Sequence, residues 1–143
     1  MRRVIIDANT LASGSVNPHP EAPTSLIYHE LTGTRIEVIV CPELLAEVAG
    51  TLQKPYFLRR IGQRSVNDIV TGIANAGTMF ADPMSPEPII SDPKDDYLVA
   101  LARIAKAEFI ITGDKHLLGH IGLEPPAINA RNACELLGLI ELH

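Results

Sequence analysis

The sequence predicts an α/β fold in which a mostly parallel sheet is covered by helices on both faces. Two observations carry this. Three short β-branched runs, "RVIID" (3–7), "IEVIVC" (36–41) and "EFIIT" (108–112), are apolar over most of their length, as strands covered on both faces must be. Helical stretches lie between them, so strand and helix alternate along the chain, the pattern of parallel strands joined by crossovers. The size agrees: 143 residues, 46% of them hydrophobic, suit one domain spanning 1–143, and there is no internal repeat, low-complexity stretch or linker.

The elements follow in order. The first strand closes at Asp7, ahead of "ANTL", where Asp7 would cap a helix or turn. A helix over 22–32 precedes the second strand. Pro42 suits the first turn of a helix over 42–53, whose buried stripe is Leu44, Leu45, Val48 and Leu52. After a helix over 66–76, the Pro-bearing segment 82–93, "DPMSPEPIISDP", reads as a loop. Asp92 and Pro93 then open a helix over 93–106, with Asp92 as its N-cap. Past the third strand, Asp114 in "IITGDKHLL" is placed as a turn residue or another cap. A weaker strand near 126–129 and a helix over 131–138 end the chain.

Composition removes several classes. No apolar run approaches the ~20 residues of a membrane span, and "MRRVIIDANT" lacks the apolar core of a signal peptide. Cys41 and Cys134 stand far apart in no metal-like spacing, which suits reduced core residues of a cytosolic protein. A net charge of −5 argues against generic binding to a nucleic-acid backbone. It leaves room for an enzyme whose acids hold a cation.

Helix geometry ranks those acids. Glu47 sits roughly 100° from the centre of its buried stripe, at the rim, whereas Glu43 is about 140° off and solvated. In helix 93–106, Leu98, Leu101, Ala102 and Ala105 share one face. Asp95 lies about 70° from its centre, Asp92 about 130° and Asp96 about 170°, so Asp96 is expected to look outward. Were the helix to begin later, Asp96 would exchange places with Asp95. Topology then gathers the acids. Asp7 and Asp114 follow strands, Glu47 lies within two turns of the start of a helix that begins at the same sheet edge, and Asp95 lies beside the start of another. Open α/β sheets build their sites at that rim.

Four close carboxylates need a cation or raised pKa values. Oxygen donors without a Cys or His cluster favour Mg²⁺ or Mn²⁺, and such ions serve phosphodiester hydrolysis. Positive charge comes from "KPYFLRRIGQR" (54–64), where Lys54, Arg59, Arg60 and Arg64 occur without an acid. Its Tyr56 and Phe57 are placed either to stack on unpaired bases or to tuck into the core beside a solvated helix end. His116 is either a surface residue or one that reaches a phosphate or metal.

"VIIDANTLASG", "CPELLAEVAGTLQKPYF", "SDPKDDYLVALA" and "EFIITGDKHLL" together resemble the PIN-domain nucleases, in particular the bacterial and archaeal group of VapC-like toxins of toxin–antitoxin systems. The resemblance covers essentially the whole chain. It implies a three-layer α/β/α sandwich and a cytoplasmic, metal-dependent endoribonuclease with Asp7, Glu47, Asp95 and Asp114 as catalytic metal ligands. Asn9 and Thr112 match the family's recurring polar neighbours, and Asp92 matches an acid recurring in the subgroup. Asp96 and His116 complete the outer neighbours. Mg²⁺ or Mn²⁺ as cofactor, RNA as substrate, a small antitoxin as partner and a homodimer go with this reading.

Other classes fit less well. Haloacid-dehalogenase-like hydrolases need a second aspartate where Asn9 stands, and a receiver module needs a phosphoacceptor where Cys41-Pro42-Glu43 follows the second strand. P-loop, GxSxG and HExxH motifs are absent. A nuclease of RNA processing that is no toxin, and a silent metal- or partner-binding module on the same fold, are the remaining alternatives.

Overall fold

The computed structural model describes residues 1–84, 86–90 and 92–141. Five strands, β1 (Arg2–Ile6), β2 (Ile36–Val40), β3 (Thr78–Met79), β4 (Phe109–Ile111) and β5 (Ala127–Ile128), form one sheet in the order β3-β2-β1-β4-β5. Every adjacent pair is parallel, with Val4 of β1 opposite Val38 on one side and Phe109 on the other. Among the described residues eight helices flank the sheet. They are α1 (Ala8–Val16), α2 (Pro23–His29), α3 (Pro42–Leu52), α4 (Pro55–Leu58), α5 (Val66–Ala76), α6 (Pro93–Ile104), α7 (Lys115–Leu118) and α8 (Ala130–Leu136). This is the expected three-layer α/β/α sandwich, and its sheet is wholly parallel.

Local chemistry explains where the helices start. Pro23, Pro42, Pro55 and Pro93 open α2, α3, α4 and α6, where a missing N–H costs nothing and φ is already helical. Side-chain caps start others: Asp7 for α1, Ser65 with Asp68 in a reciprocal capping box for α5, Asp114 for α7 and Asn129 for α8. In the central strand Val4, Ile5 and Ile6 are fully buried. Helix α6 packs on β1 and β4, while α1 packs on α2 and α3, and α2 on α8. Gly14 permits the α1–α2 approach, because a Cβ there would meet the Thr24 carbonyl oxygen and come within 2.7 Å of Tyr28 Cβ.

The expected strands are present within a residue or two of their predicted ends. Four elements were not foreseen as such: α1, α4, α7 and β3. Three are one turn or two residues long. Helix α1, "ANTLASGSV", is built from small residues and buried on nearly all sides, so it shows no apolar stripe to read. The 22–32 helix is shorter than expected, ending at His29 in a 3₁₀ turn over Glu30–Thr32. The 82–93 segment is a loop at its described positions up to Asp92, and Pro93 already belongs to α6; residues 85 and 91 lie outside the described residues. Cys41 and Cys134 are free, buried core residues. No helix among the described residues is long and apolar enough to cross a membrane.

Candidate active site

The carboxyl ends of β1 and β4 lie side by side where the strand order reverses, which is where ligands enter open α/β sheets. Asp7 follows β1 directly, and its backbone N–H donates to the Ile111 carbonyl of β4 at 3.0 Å. Its side chain does two things at once. Oδ1 caps α1 by accepting from Thr10 N–H at 2.9 Å, and Oδ2 accepts from the Thr112 hydroxyl at 2.5 Å. That hydroxyl in turn accepts the Asp114 backbone N–H at 3.0 Å. Thr112, fully buried, therefore links the two strand-end acids and fixes their separation. Asp114 caps α7 through His116 N–H at 2.7 Å. Asp7 and Asp114 thus cap α1 and α7, and both also line one cleft at this edge of the sheet.

Helices bring the other two acids. Asp95 stands three residues past its N-cap Asp92, whose Oδ1 accepts Lys94 N–H at 3.0 Å. Asp95 is only 6% exposed, and its Oδ2 is buried without a hydrogen-bond partner. Burial pushes its carboxyl up to about 6, helped by the negative charges of Asp114, Asp92 and Asp7, with only His116 acting the other way. Glu47, half-buried on α3, lines the same cleft of about 170 Å³ as Asp7, Asp95 and Asp114. Asn9 reaches it from α1 and is solvent-exposed.

One expectation fails. Asp96 does not face water: it is 6% exposed, and its Oδ1 accepts the Ile90 N–H at 2.7 Å. The helical wheel counted only the sheet as cover. In the protein residues 86–90 of the preceding loop lie beside α6, and residues 95 to 99 are buried in succession. Asp96 is thus a loop anchor, turned to a different groove from that of the acids.

Of the basic segment, Lys54 lines the acid cleft and Arg60 an adjoining one, whereas Arg59 and Arg64 line neither. Arg64 instead donates to the Ile61 carbonyl at 3.1 Å. The two aromatics divide: Phe57 is buried in the core and Tyr56 is exposed. His116 is exposed.

Three residues of the cleft region escaped the sequence reading. Lys94 and Thr51 line the cleft, and a lysine between two helix-start aspartates was a readable hint. Tyr97 is fully buried with no hydrogen bond of ordinary geometry at its hydroxyl. Burial, and then Glu47 close by, push its ionisation well above the usual tyrosine range.

Among the described residues, no three Asp, Glu, His or Cys side chains converge closely enough, as they stand, to hold an ion. The donor set still suits a hard cation. Its members are carboxylates, one oxygen is buried and unpartnered, and burial, helped by the negative charge around it, raises the Asp95 carboxyl to about 6, a penalty on its ionised form that a cation would relieve. Asp7, Glu47, Asp95 and Asp114, which line one cleft, are the residues that would hold such an ion.

Fold and cleft define an α/β/α domain with an acid-lined cleft at the carboxyl edge of its parallel sheet. The PIN domain pattern matches residues 3–116, the greater part of the chain, and the chain belongs to that family. PIN domains are generally nucleases and typically use divalent metals. The crystal structure of PAE2754 from Pyrobaculum aerophilum is similar over 97% of each chain, with a TM-score of 0.66 and 13% sequence identity. At that identity the likeness is one of fold. No curated protein matches the chain by sequence.

Proposed function

We propose that the protein is an endoribonuclease dependent on Mg²⁺ or Mn²⁺, acting at Asp7, Glu47, Asp95 and Asp114 as the toxin of a toxin–antitoxin pair. The observation that carries the nuclease reading is the single cleft lined by all four acids, one of which, Asp95, has a buried oxygen without a partner. When bound, the cation would supply charge neutralisation for a phosphodiester and lower the pKa of an attacking water. The chain's own residues do the rest. Thr112 holds Asp7 and Asp114 at a set spacing, and Lys54 and Lys94 put positive charge at the mouth of an acidic cleft that a polyanion must enter. Asn9 is placed to orient substrate or water.

The toxin assignment rests on the resemblance of the four motifs to VapC-like proteins. Its partners are RNA, a small antitoxin that plugs the acid cleft and a second copy of the chain, in the cytoplasm. The test incubates purified protein with RNA and Mn²⁺ beside Asp7→Asn and Glu47→Gln. Both variants should lose cleavage, and cleavage unchanged in both would sink the proposed site. Co-expression with a neighbouring short reading frame that restores growth would support the toxin role.

A further inference from the structure

The acid cleft does not end at the acids. It shares Asp7, Asn9 and Asp114 with a second, larger cleft of about 570 Å³ that runs toward α4. Its lining includes the polar residues Thr10, Ser13 and Thr24 from α1 and α2, and the aromatics Tyr56 and Phe57 from α4. Through Ser13 and Tyr56 it continues into a third cleft of about 290 Å³, reaching Arg60 and His19.

The aromatic wall is built rather than loose. Phe57 is anchored in the core and meets Tyr56 edge to face, ring centroids 5.0 Å apart. The Arg60 guanidinium lies 3.7 Å from the Tyr56 ring centroid, and its Nη1 donates to the Tyr56 carbonyl at 2.8 Å. Tyr56 is nevertheless about half exposed, at 53%. Charge changes along the track as well. Beyond Asp7 and Asp114, no carboxylate among the described residues lines the second or third cleft, and the far end is basic. A polyanion leaving the acid cleft is met by positive charge in this direction.

We propose that an unpaired nucleotide immediately flanking the scissile phosphate seats its base in the second cleft against Tyr56 and Phe57, with its outer phosphate on Arg60. This rests on the nuclease reading above and adds the substrate's shape: one nucleotide, on one side of the cut, must be free of pairing. A stacked, paired base cannot enter a pocket lined by residues of α1, α2 and α4, whereas any single-stranded base offers a π-face to the aromatics and edge groups to the hydroxyls.

The test uses fluorescein-labelled single-stranded RNA dodecamers carrying one abasic residue at each position in turn, cleaved in Mn²⁺. With wild-type protein, the abasic residue next to the cut on one side should lower kcat/KM about tenfold, in keeping with the energy of stacking one base, and the same change on the other side should not. Tyr56→Ala should lose about tenfold on intact RNA and nothing further on that abasic RNA, while Tyr56→Phe retains wild-type behaviour. Arg60→Ala should raise KM and flatten its salt dependence. Both residues are exposed, so melting temperatures should not move. Independent, multiplying effects of Tyr56→Ala and the abasic residue would overturn the subsite, as would tolerance of abasic residues on both sides. Should wild-type protein cleave none of the RNAs, the nuclease reading fails separately. Anisotropy titration of the same RNAs on wild-type protein in Ca²⁺ then decides the subsite: a position-dependent loss of affinity abolished by Tyr56→Ala supports it, and uniform binding overturns it.

Discussion

Asp95→Asn separates stability from activity more sharply than any other change at the site. In the metal-free protein the Asp95 carboxyl is raised from 3.8 to about 6 by burial and by its acidic neighbours. A folded-state pKa above the unfolded one means that ionised Asp95 opposes folding. The penalty is absent below pH 3.8, grows between there and 6, and is complete above 6. Two units at about 1.4 kcal/mol each give an upper bound near ~3 kcal/mol, which partial solvent access lowers toward ~1 kcal/mol. Asparagine removes the charge, and its N–H₂ meets the carboxylates that repelled Asp95. The variant should therefore be more stable than wild type by about 1–3 kcal/mol at pH 8, or roughly 3–9 °C in melting temperature, and cleave nothing. The assay is thermal or urea denaturation in EDTA at pH 4 to 8, where the advantage should shrink to nothing at the acid end. Saturating Mn²⁺ should reverse the ranking, because the ion stabilises only the protein that binds it. An asparagine variant no more stable than wild type at pH 8, or an advantage independent of pH, would refute the account of Asp95 as a buried, repelled carboxylate.

Three further outcomes follow from the packing around the site. Thr112→Val keeps the side-chain volume but breaks the link between Asp7 and Asp114; it should cost about 2–3 kcal/mol in urea denaturation and 10–100-fold in cleavage rate. Asp96→Ala should cost about 1–2 kcal/mol by leaving the Ile90 N–H without its acceptor, with Asp96→Asn recovering most of it and kcat staying near wild type in both. Gly14→Ala should lower stability by about 1–3 kcal/mol in the same assay, since α1 and α2 must part to admit the methyl group.

Some of this was written in the order of residues. The strands at β1, β2 and β4 are short β-branched runs that only a doubly covered sheet can use, so their place was readable locally. The helix starts at Pro42 and at Asp92-Pro93 were readable for the same reason, because a cap depends on residues three or four apart. The convergence of Asp7, Glu47, Asp95 and Asp114 needed only strand and helix polarity, and one cleft does hold them.

What the tertiary structure alone decided depends on contacts between distant segments. The place of β1 between β2 and β4 sets which strand ends adjoin, and no local pattern encodes it. Helix α1 is enclosed from several sides at once, so it leaves no periodic trace. Asp96 illustrates the limit best. Its angle on the helix was sound, but residues 86–90 of the preceding loop lie beside that face and turn a nominal surface acid into a buried acceptor. Tyr56 and Phe57, adjacent in sequence and both lining the cleft that leads to the acids, differ in the same way: Phe57 is anchored in the core and Tyr56 is half exposed. The sequence by itself determined which residues carry charge and where the apolar strands and the longer amphipathic helices begin. Burial, which belongs to the whole fold, decided which of those charges face one another.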